Sequence, residues 1–149
     1  MNVSAKGRYA LKMMIDIAEH SSNEWVSIKA ISKRQGISVK YLEQIVANLT
    51  RANLLRSRRG SSGGYMLAKT PDQYTVGDIL RVIEGKLAPV ACLKDEINHC
   101  ERSCICQTLG FWSGLYKAID DYVDSVTLDD FMKSQNVEEQ AVMLNINKR

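Results

Sequence analysis

No apolar run in this 149-residue chain approaches the roughly 18 residues that a membrane-spanning helix requires. The opening Met1-Asn2-Val3-Ser4-Ala5-Lys6-Gly7-Arg8 lacks the apolar stretch of a signal peptide. Both absences point to a cytoplasmic protein with no membrane partner. No Gly-Lys-Ser/Thr follows a glycine-rich loop, which argues against a nucleotide-binding loop. No glycine loop or carboxylate pair marks a substrate pocket, and the adjacent His99 and Cys100 are poorly placed to act as base and nucleophile. An enzyme is therefore not expected. There is no internal repeat. The length suits one domain with an appended element, and 45% hydrophobic residues suffice for a core.

The charge that is present is unevenly spread. Residues 1–69 hold 12 Lys/Arg against 4 Asp/Glu, a net of +8, whereas residues 70–149 hold 8 against 13, a net of −5. A basic N-terminal half suits a polyphosphate partner, because cationic side chains displace condensed counterions. A plain solvated basic surface is the competing reading.

Periodicity places a first helix over Tyr9 to His20, with Ala10, Met13, Met14, Ile17 and Ala18 on one face. Leu11 and Ile15 add a second apolar face, so this helix is expected to be covered from two sides. A short helix follows Ser27, an N-cap residue, with Ile28 and Ile31 inward and Gly36 at its C-terminal turn. Ile37 is a buried turn residue, and Ser38 caps a helix from Val39 to about Ala52 with Leu42, Ile45, Val46 and Leu49 inward. Two short helices about a tight turn form a helix-turn-helix pattern. The outer face of the second carries Lys40, Glu43, Gln44, Ala47 and Arg51, groups that reach base edges or phosphates.

From Leu54 to Leu67, two apolar ends flank a basic Gly/Ser-rich tip, the pattern of a β-hairpin wing. After the Thr70-Pro71 break, Thr75 to Glu84 reads as a helix with Val76, Ile79, Leu80 and Ile83 inward, ended by Gly85. Thr108 to Ser125 reads as a long helix in which Trp112, Leu115, Ile119, Tyr122 or Val123, and Val126 form a stripe. That stripe can pack on its own core or pair with a second copy. Pairing is favoured, because helix-turn-helix proteins read half-sites about 34 Å apart. Thr127 with Asp130 caps a short final helix, and the polar end after Ser134 is expected to be loose.

Residues 86–106 lack periodicity and hold all four cysteines, spaced Cys92-x7-Cys100-x3-Cys104-x-Cys106, with His99 beside them. In a reducing compartment such thiols are metal ligands or redox groups rather than structural disulfides. Spacing leaves three readings open: a zinc site of four Cys/His ligands, a thiol switch at Cys104/Cys106, or an iron–sulfur cluster.

Lys6-Gly7-Arg8-Tyr9-Ala10-Leu11, Tyr41-Leu42-Glu43-Gln44, Arg59-Gly60 with Gly63-Gly64-Tyr65, and Thr127-Leu128 together resemble the IscR-like iron–sulfur regulators of the Rrf-two family, over residues 1 to about 134. The resemblance implies a mainly α fold. A winged helix-turn-helix domain over 1–84 would be followed by a cysteine-rich cluster loop over 85–107. A dimerisation helix and short helix over 108–134 and a flexible tail over 135–149 would complete the chain. It implies a homodimer on a double-stranded DNA operator, with Ser38, Lys40, Tyr41, Glu43 and Gln44 at the major groove. The wing residues Arg58, Arg59 and Ser61 would also meet DNA, with Arg59 in a minor groove whose narrow A·T geometry attracts guanidinium.

The resemblance also implies that Cys92, Cys100 and Cys106 ligate an iron–sulfur cluster of the 2Fe–2S or 4Fe–4S type, with zinc as the alternative metal. Some members use a histidine three residues after the last cysteine, where this chain has Leu109; others use a carboxylate from the partner's first helix, where this chain has Arg8 and Lys12. The fourth ligand is therefore open, with Cys104 and His99 as local candidates. The expected function is a transcription regulator, in its simplest form a repressor, that senses cluster status. The alternatives are a cluster-free regulator with structural zinc or a redox-thiol switch, or a cysteine-metabolism regulator of the same fold. Relatives of that last kind typically lack this cysteine set.

Overall fold

A computed structural model describes residues 2–134; the tail expected to be loose, 135–149, lies outside the described residues. Helix α1 spans Ala5–His20 and so begins four residues before the periodicity does. Lys6 and Arg8 carry no apolar signal. The start is set instead by Ser4, whose Oγ accepts from the Gly7 amide at 3.0 Å. Ala10, Met13, Met14 and Ile17 are fully buried, and half-buried Leu11 packs against both hydrophobic clusters, so the helix is covered from two sides as expected.

Helices α2 (Ile28–Gln35) and α3 (Val39–Arg51) form the helix-turn-helix. Ser27 Oγ accepts from the Ala30 amide at 3.2 Å, and Ser38 Oγ accepts from that of Tyr41 at 3.3 Å. Gly36 takes the left-handed conformation (φ 66°) that ends α2 without the penalty of a Cβ. Ile31, Ile37, Leu42, Ile45, Val46 and Leu49 enter the main core as the pattern predicts.

Strands β1 (Leu55–Arg58) and β2 (Gly64–Leu67) make the antiparallel wing, with Leu55 opposite Leu67 and Arg58 opposite Gly64. Tyr74 is buried at its root. Its hydroxyl donates to the Leu54 carbonyl and accepts from the Lys69 amide, both at 2.8 Å. Helix α4 (Val76–Glu84) carries a Thr75/Asp78 capping box. Helix α5 (Leu109–Ser125) follows the cysteine loop, and α6 (Leu128–Lys133) carries the Thr127/Asp130 box. A second, smaller cluster is built on Val76, Leu80 and Leu87, with Ile119, Val123, Val126 and Phe131 against it. No helix among the described residues is long and apolar enough to cross a membrane.

One buried charge fixes the helix-turn-helix on α1. Asp16 is 1% exposed. Arg34 donates to it from Nε at 3.0 Å and from Nη2 at 2.6 Å, and Gln35 donates from Nε2 at 2.8 Å. Burial by itself would raise this carboxyl, but the hydrogen bonds from Arg34 and Gln35 and the guanidinium charge outweigh it and hold it below the usual carboxylate range. Its contribution to stability is therefore complete above the ordinary value of about 4 and is lost as pH falls through the lowered one. Asp16→Ala is expected to reduce the unfolding free energy by about 3 kcal/mol at neutral pH, since Arg34 and Gln35 lose a shared buried acceptor. Urea titrations at neutral pH and again well below pH 4 should show the gap between the two proteins closing on the acid side. A constant gap would mean that packing, not charge, is what Asp16 supplies.

Candidate nucleic-acid interface and cysteine loop

The outer face of α3 presents Ser38, Lys40, Glu43, Gln44, Ala47 and Arg51 to solvent. Among the described residues, no hydrogen bond or ion pair holds the side chains of Lys40, Glu43 or Gln44. They are free to meet an outside partner. Ser38 spends its oxygen lone pair on the cap and keeps its hydroxyl proton to donate. Tyr41 is half-buried and packs edge-on to Tyr9, centroids 5.6 Å apart, so only part of its ring is available outside.

The wing places a second cationic feature beside this face. Arg56 and Arg58 on β1 and Arg59, Gly60, Ser61 and Ser62 at the tip are exposed. A shallow depression of about 340 Å³ separates the wing from the start of α2, with Lys29, Arg58 and Ser61 among its lining. The wing is positioned by a contact that sequence reading missed: Val26 pairs with Tyr65, amide to carbonyl both ways at 2.9 and 2.8 Å. A single bridging residue carries no alternation, so only the short apolar Trp25-Val26 step before Ser27 hinted at it. The approach is close enough to require Gly64, whose φ is 153° and whose Cβ, were there one, would collide with the Val26 carbonyl.

The cysteine loop is built from turns. Cys92 lies half-buried in a single 3-10 turn, Ala91–Leu93. Cys100, Cys104 and Cys106 are exposed, and Cys104 lies on the turn Ser103–Ile105. All four thiols are free. Thr108 Oγ1 lies 3.6 Å from Cys106 Sγ. That contact, with the amides of Thr108 and Leu109 at the start of α5 and the charge of Arg102, lowers the Cys106 thiol below its usual range.

Four unpaired thiols in an irregular loop are a donor set suited to a soft metal or a cluster. The described conformation does not assemble them: among the described residues no three Cys, His, Asp or Glu groups converge on a point that could hold a metal. His99 lines a depression together with Glu84, Lys86, Lys94, Glu96 and Ile97, which no cysteine lines.

Helix α5 has no fully buried residue. Its expected single stripe divides in two. Ile119, Val123 and Val126 pack on the second cluster, whereas Leu115 (37%) and Tyr122 (69%) are exposed, as is Phe111 (65%) outside the expected stripe. Polar contacts missed by periodicity hold its inner side: Arg81 donates from Nη1 to Asp124 and from Nη2 to Asp120, each at 2.7 Å. The only sequence sign was the Asp120/Asp124 pair four residues apart on one helical face.

Comparison with known proteins accords with this geometry. A family model described as Rrf2, iron-dependent transcriptional regulator, matches residues 3–134. The chain is 38% identical over 146 residues to the HTH-type transcriptional regulator CymR of Bacillus subtilis, covering 98% of this chain and all of that one. The solved structure of CymR, the global cysteine regulator of B. subtilis, superposes with a TM-score of 0.75 at 35% identity, over 91% of this chain and 99% of that one. The solved structure of T. potens IscR gives a TM-score of 0.71 at 41% identity, over 89% and 87%. The family model and the B. subtilis relative are named transcriptional regulators rather than enzymes.

Gly64→Ala is expected to part the wing from Val26, costing about 1–3 kcal/mol through backbone strain. Amide exchange at Val26 and Tyr65 should accelerate in the variant while that of the α3 core amides keeps its order. Unchanged protection at Tyr65 would show that the wing does not depend on this approach.

Proposed function

Because the chain belongs to the Rrf2 family of transcriptional regulators, we propose that it binds an operator as a homodimer and reads iron–sulfur cluster status through its cysteine loop. The observation that carries the reading is one of connection: four free thiols sit in a loop that runs directly into α5. That helix is tied through Arg81 to the DNA-facing domain on one side and presents Phe111, Leu115 and Tyr122 outward on the other.

On DNA, α3 lies in the major groove, where Lys40 and Gln44 donate to base edges. Glu43 is repelled by phosphate yet accepts from cytosine N4, so it discriminates between sites rather than adding affinity. Arg59 enters the minor groove, and Arg58 and Ser61 meet the backbone. The exposed apolar residues of α5 face their copies across the two-fold, setting the spacing of the two α3 helices.

Cys92, Cys100 and Cys106 would hold the cluster, which when bound would supply a crosslink between their thiolates. Cys92 follows directly on the segment from α4, where Leu87 and Ala88 are buried, and Cys106 stands just before α5. Joining them fixes the exit of one helix to the entry of the other. Operator affinity then changes by as much as the cluster favours one arrangement of the pair over the other.

A second reading has its own support. The 38% identity to CymR extends over nearly the whole chain. A regulator of cysteine metabolism, or a cluster-free regulator with structural zinc or a thiol switch in the loop, is the form this takes. Anaerobic purification with iron, sulfide and zinc analysis separates the two. A brown protein with near-stoichiometric iron and sulfide supports the cluster; a colourless one that stays so after reconstitution, or one zinc per chain, overturns it.

Arg59→Ala is expected to weaken operator binding and to flatten the slope of log affinity against log salt by about 0.9, the loss of one phosphate-neutralising cation. Equal affinity and slope would take the wing out of the interface. Cys92→Ala is expected to abolish iron and sulfide uptake with an unchanged far-ultraviolet circular dichroism spectrum. Full loading of that variant would remove Cys92 from the ligand set.

A further inference from the structure

We propose that the cleft between the wing and the start of α2 seats one phosphodiester of the DNA backbone, held from its two sides by Lys29 and Arg58. This rests on the reading that the chain binds duplex DNA. It adds Lys29 to that interface, and a single contact shared between the helix-turn-helix and the wing.

The charge in the cleft has one sign. Lys29, Arg58, Ser61 and Tyr65 line it together with three glycines, and no acidic residue does. The side chains of these four make no hydrogen bond or ion pair among the described residues. Two cations therefore border one concavity without a counter-charge. The depressions beside the cysteine loop differ, because there Lys86 and Lys94 share the lining with Glu84, whose carboxylate opposes an anion. A phosphodiester supplies what the wing cleft lacks, one negative charge on two oxygens that accept hydrogen bonds. The serine and tyrosine hydroxyls add neutral donors beside the two cations.

Both cations hang from the same joint. Val26 pairs with Tyr65 through two backbone hydrogen bonds, at 2.9 and 2.8 Å. Lys29 stands three residues beyond Val26, in the first turn of α2, which Ser27 caps. Arg58 stands opposite Gly64, the chain neighbour of Tyr65. Walls already fixed in this way bind a ligand without the entropic cost of assembling them. Gly60, Gly63 and Gly64 put no side chain into the cleft, so an anion can approach the backbone between the walls.

The cleft has a volume of about 340 Å³ and opens to solvent. That shape suits a group presented on the surface of a polymer better than a free metabolite that must be enclosed. A phosphate held from both sides fixes the wing against α2. Arg59 follows Arg58 directly at the wing tip, so the same contact sets where Arg59 enters the minor groove.

The test begins with the parent chain selecting a duplex from a random-sequence pool. Binding of that duplex, and of an unselected one, is measured against chloride concentration for Lys29→Ala, Arg58→Ala, the double variant, Lys29→Arg and Lys86→Ala. Each single alanine variant at the cleft is expected to bind both duplexes about tenfold more weakly per bound subunit, the scale of one hydrogen bond to a charged group. The double variant is expected to flatten the slope of log affinity against log salt by about 0.9 per bound subunit, the value for one phosphate, where two separate contacts would flatten it by about 1.8. Lys29→Arg should keep the parent's affinity, and Lys86→Ala both its affinity and its slope. Methylphosphonate, which removes the charge of one phosphate, is then placed at each position of the selected duplex in turn. One position in each half-site should weaken the parent and leave the double variant unaffected. Lys29 and Arg58 are exposed, so the variants should melt with the parent; the methylphosphonate scan of the parent and the Lys29→Arg measurement stand if an alanine variant does not.

Parent-like affinity and slope in both single variants would overturn the seat and leave DNA binding intact. A loss near 1.8 in the double variant, with each single variant silencing a different methylphosphonate position, would replace the shared seat by two separate contacts. An equal loss in Lys86→Ala would reduce the effect to net charge and overturn the seat as well. A parent chain that selects no duplex would overturn the DNA-binding reading itself.

Discussion

The guanidinium of Arg81 is the point through which the two halves of the molecule communicate. It leaves α4 and reaches Asp120 and Asp124 on successive turns of α5, with the two nitrogens of its fork facing carboxylate oxygens. Helix α5 needs such a fastening, because none of its residues is fully buried and its inner apolar contacts are few. The acids pull the Arg81 pKa still further above its already high value, so charge loss from the arginine is irrelevant at any physiological pH. The groups are about one-third to one-half exposed, so solvent screens them. A contribution of about 1 kcal/mol is a fair scale. Its value is directional. Two pairs one helical turn apart fix the rotation of α5 about its own axis, which apolar contact with Val76 and Leu80 alone would not do.

That rotation decides which residues face outward. With Asp120, Ile119 and Val123 turned toward α4, Phe111, Leu115 and Tyr122 are left exposed. The opposite end of α4 is fastened as well: Glu84 Oε1 accepts from the Ser4 amide at 2.9 Å and from its hydroxyl at 2.6 Å. The same oxygen lies where a Cβ on Gly7 would stand, so the glycine makes room for this carboxylate beside α1. Helix α4 is thus tied to α5 at its middle and to α1 at its end, and the chain turns at Gly85 toward the cysteine loop just beyond the second attachment. A change in the path of that loop bears on both.

The parts of this arrangement that could be read in the sequence are those with punctuation. Ser27, Gly36, Ser38 and Thr127 each mark a helix end by a side-chain or backbone requirement that is local, and each occurs where expected. The wing was equally plain, since its Gly/Ser tip separates two short apolar ends. What escaped was long-range. The start of α1 is stabilised by Glu84, eighty residues away, through groups that look merely polar. Val26 joins the wing as one residue, too short for periodicity to register. The stripe on α5 was visible but its division was not, because heptad-like spacing does not say which half finds a partner within the chain. The cysteines were obvious as a group, yet the described fold does not gather them, and spacing alone cannot report a geometry that a ligand must impose.

The physical argument for a sensor rests on this last contrast. A site already assembled in the free protein would bind its metal with little change elsewhere, and binding would carry no information. Here the thiols are distributed over a loop with no buried side chain between Ala91 and Thr108, so ordering it costs conformational entropy that only ligation can offset. The loop ends are not equally free: Leu87 and Ala88 are buried on the α4 side, and Cys106 abuts the first turn of α5. In the proposed sensor, strain left by ligation would act on the α5 side, against the Arg81 fork. A fastening worth only about 1 kcal/mol is weak enough to be shifted by a bound group and strong enough to restore one orientation when that group is lost. In a dimer the same shift would occur twice about the two-fold, doubling its effect on the separation of the α3 helices.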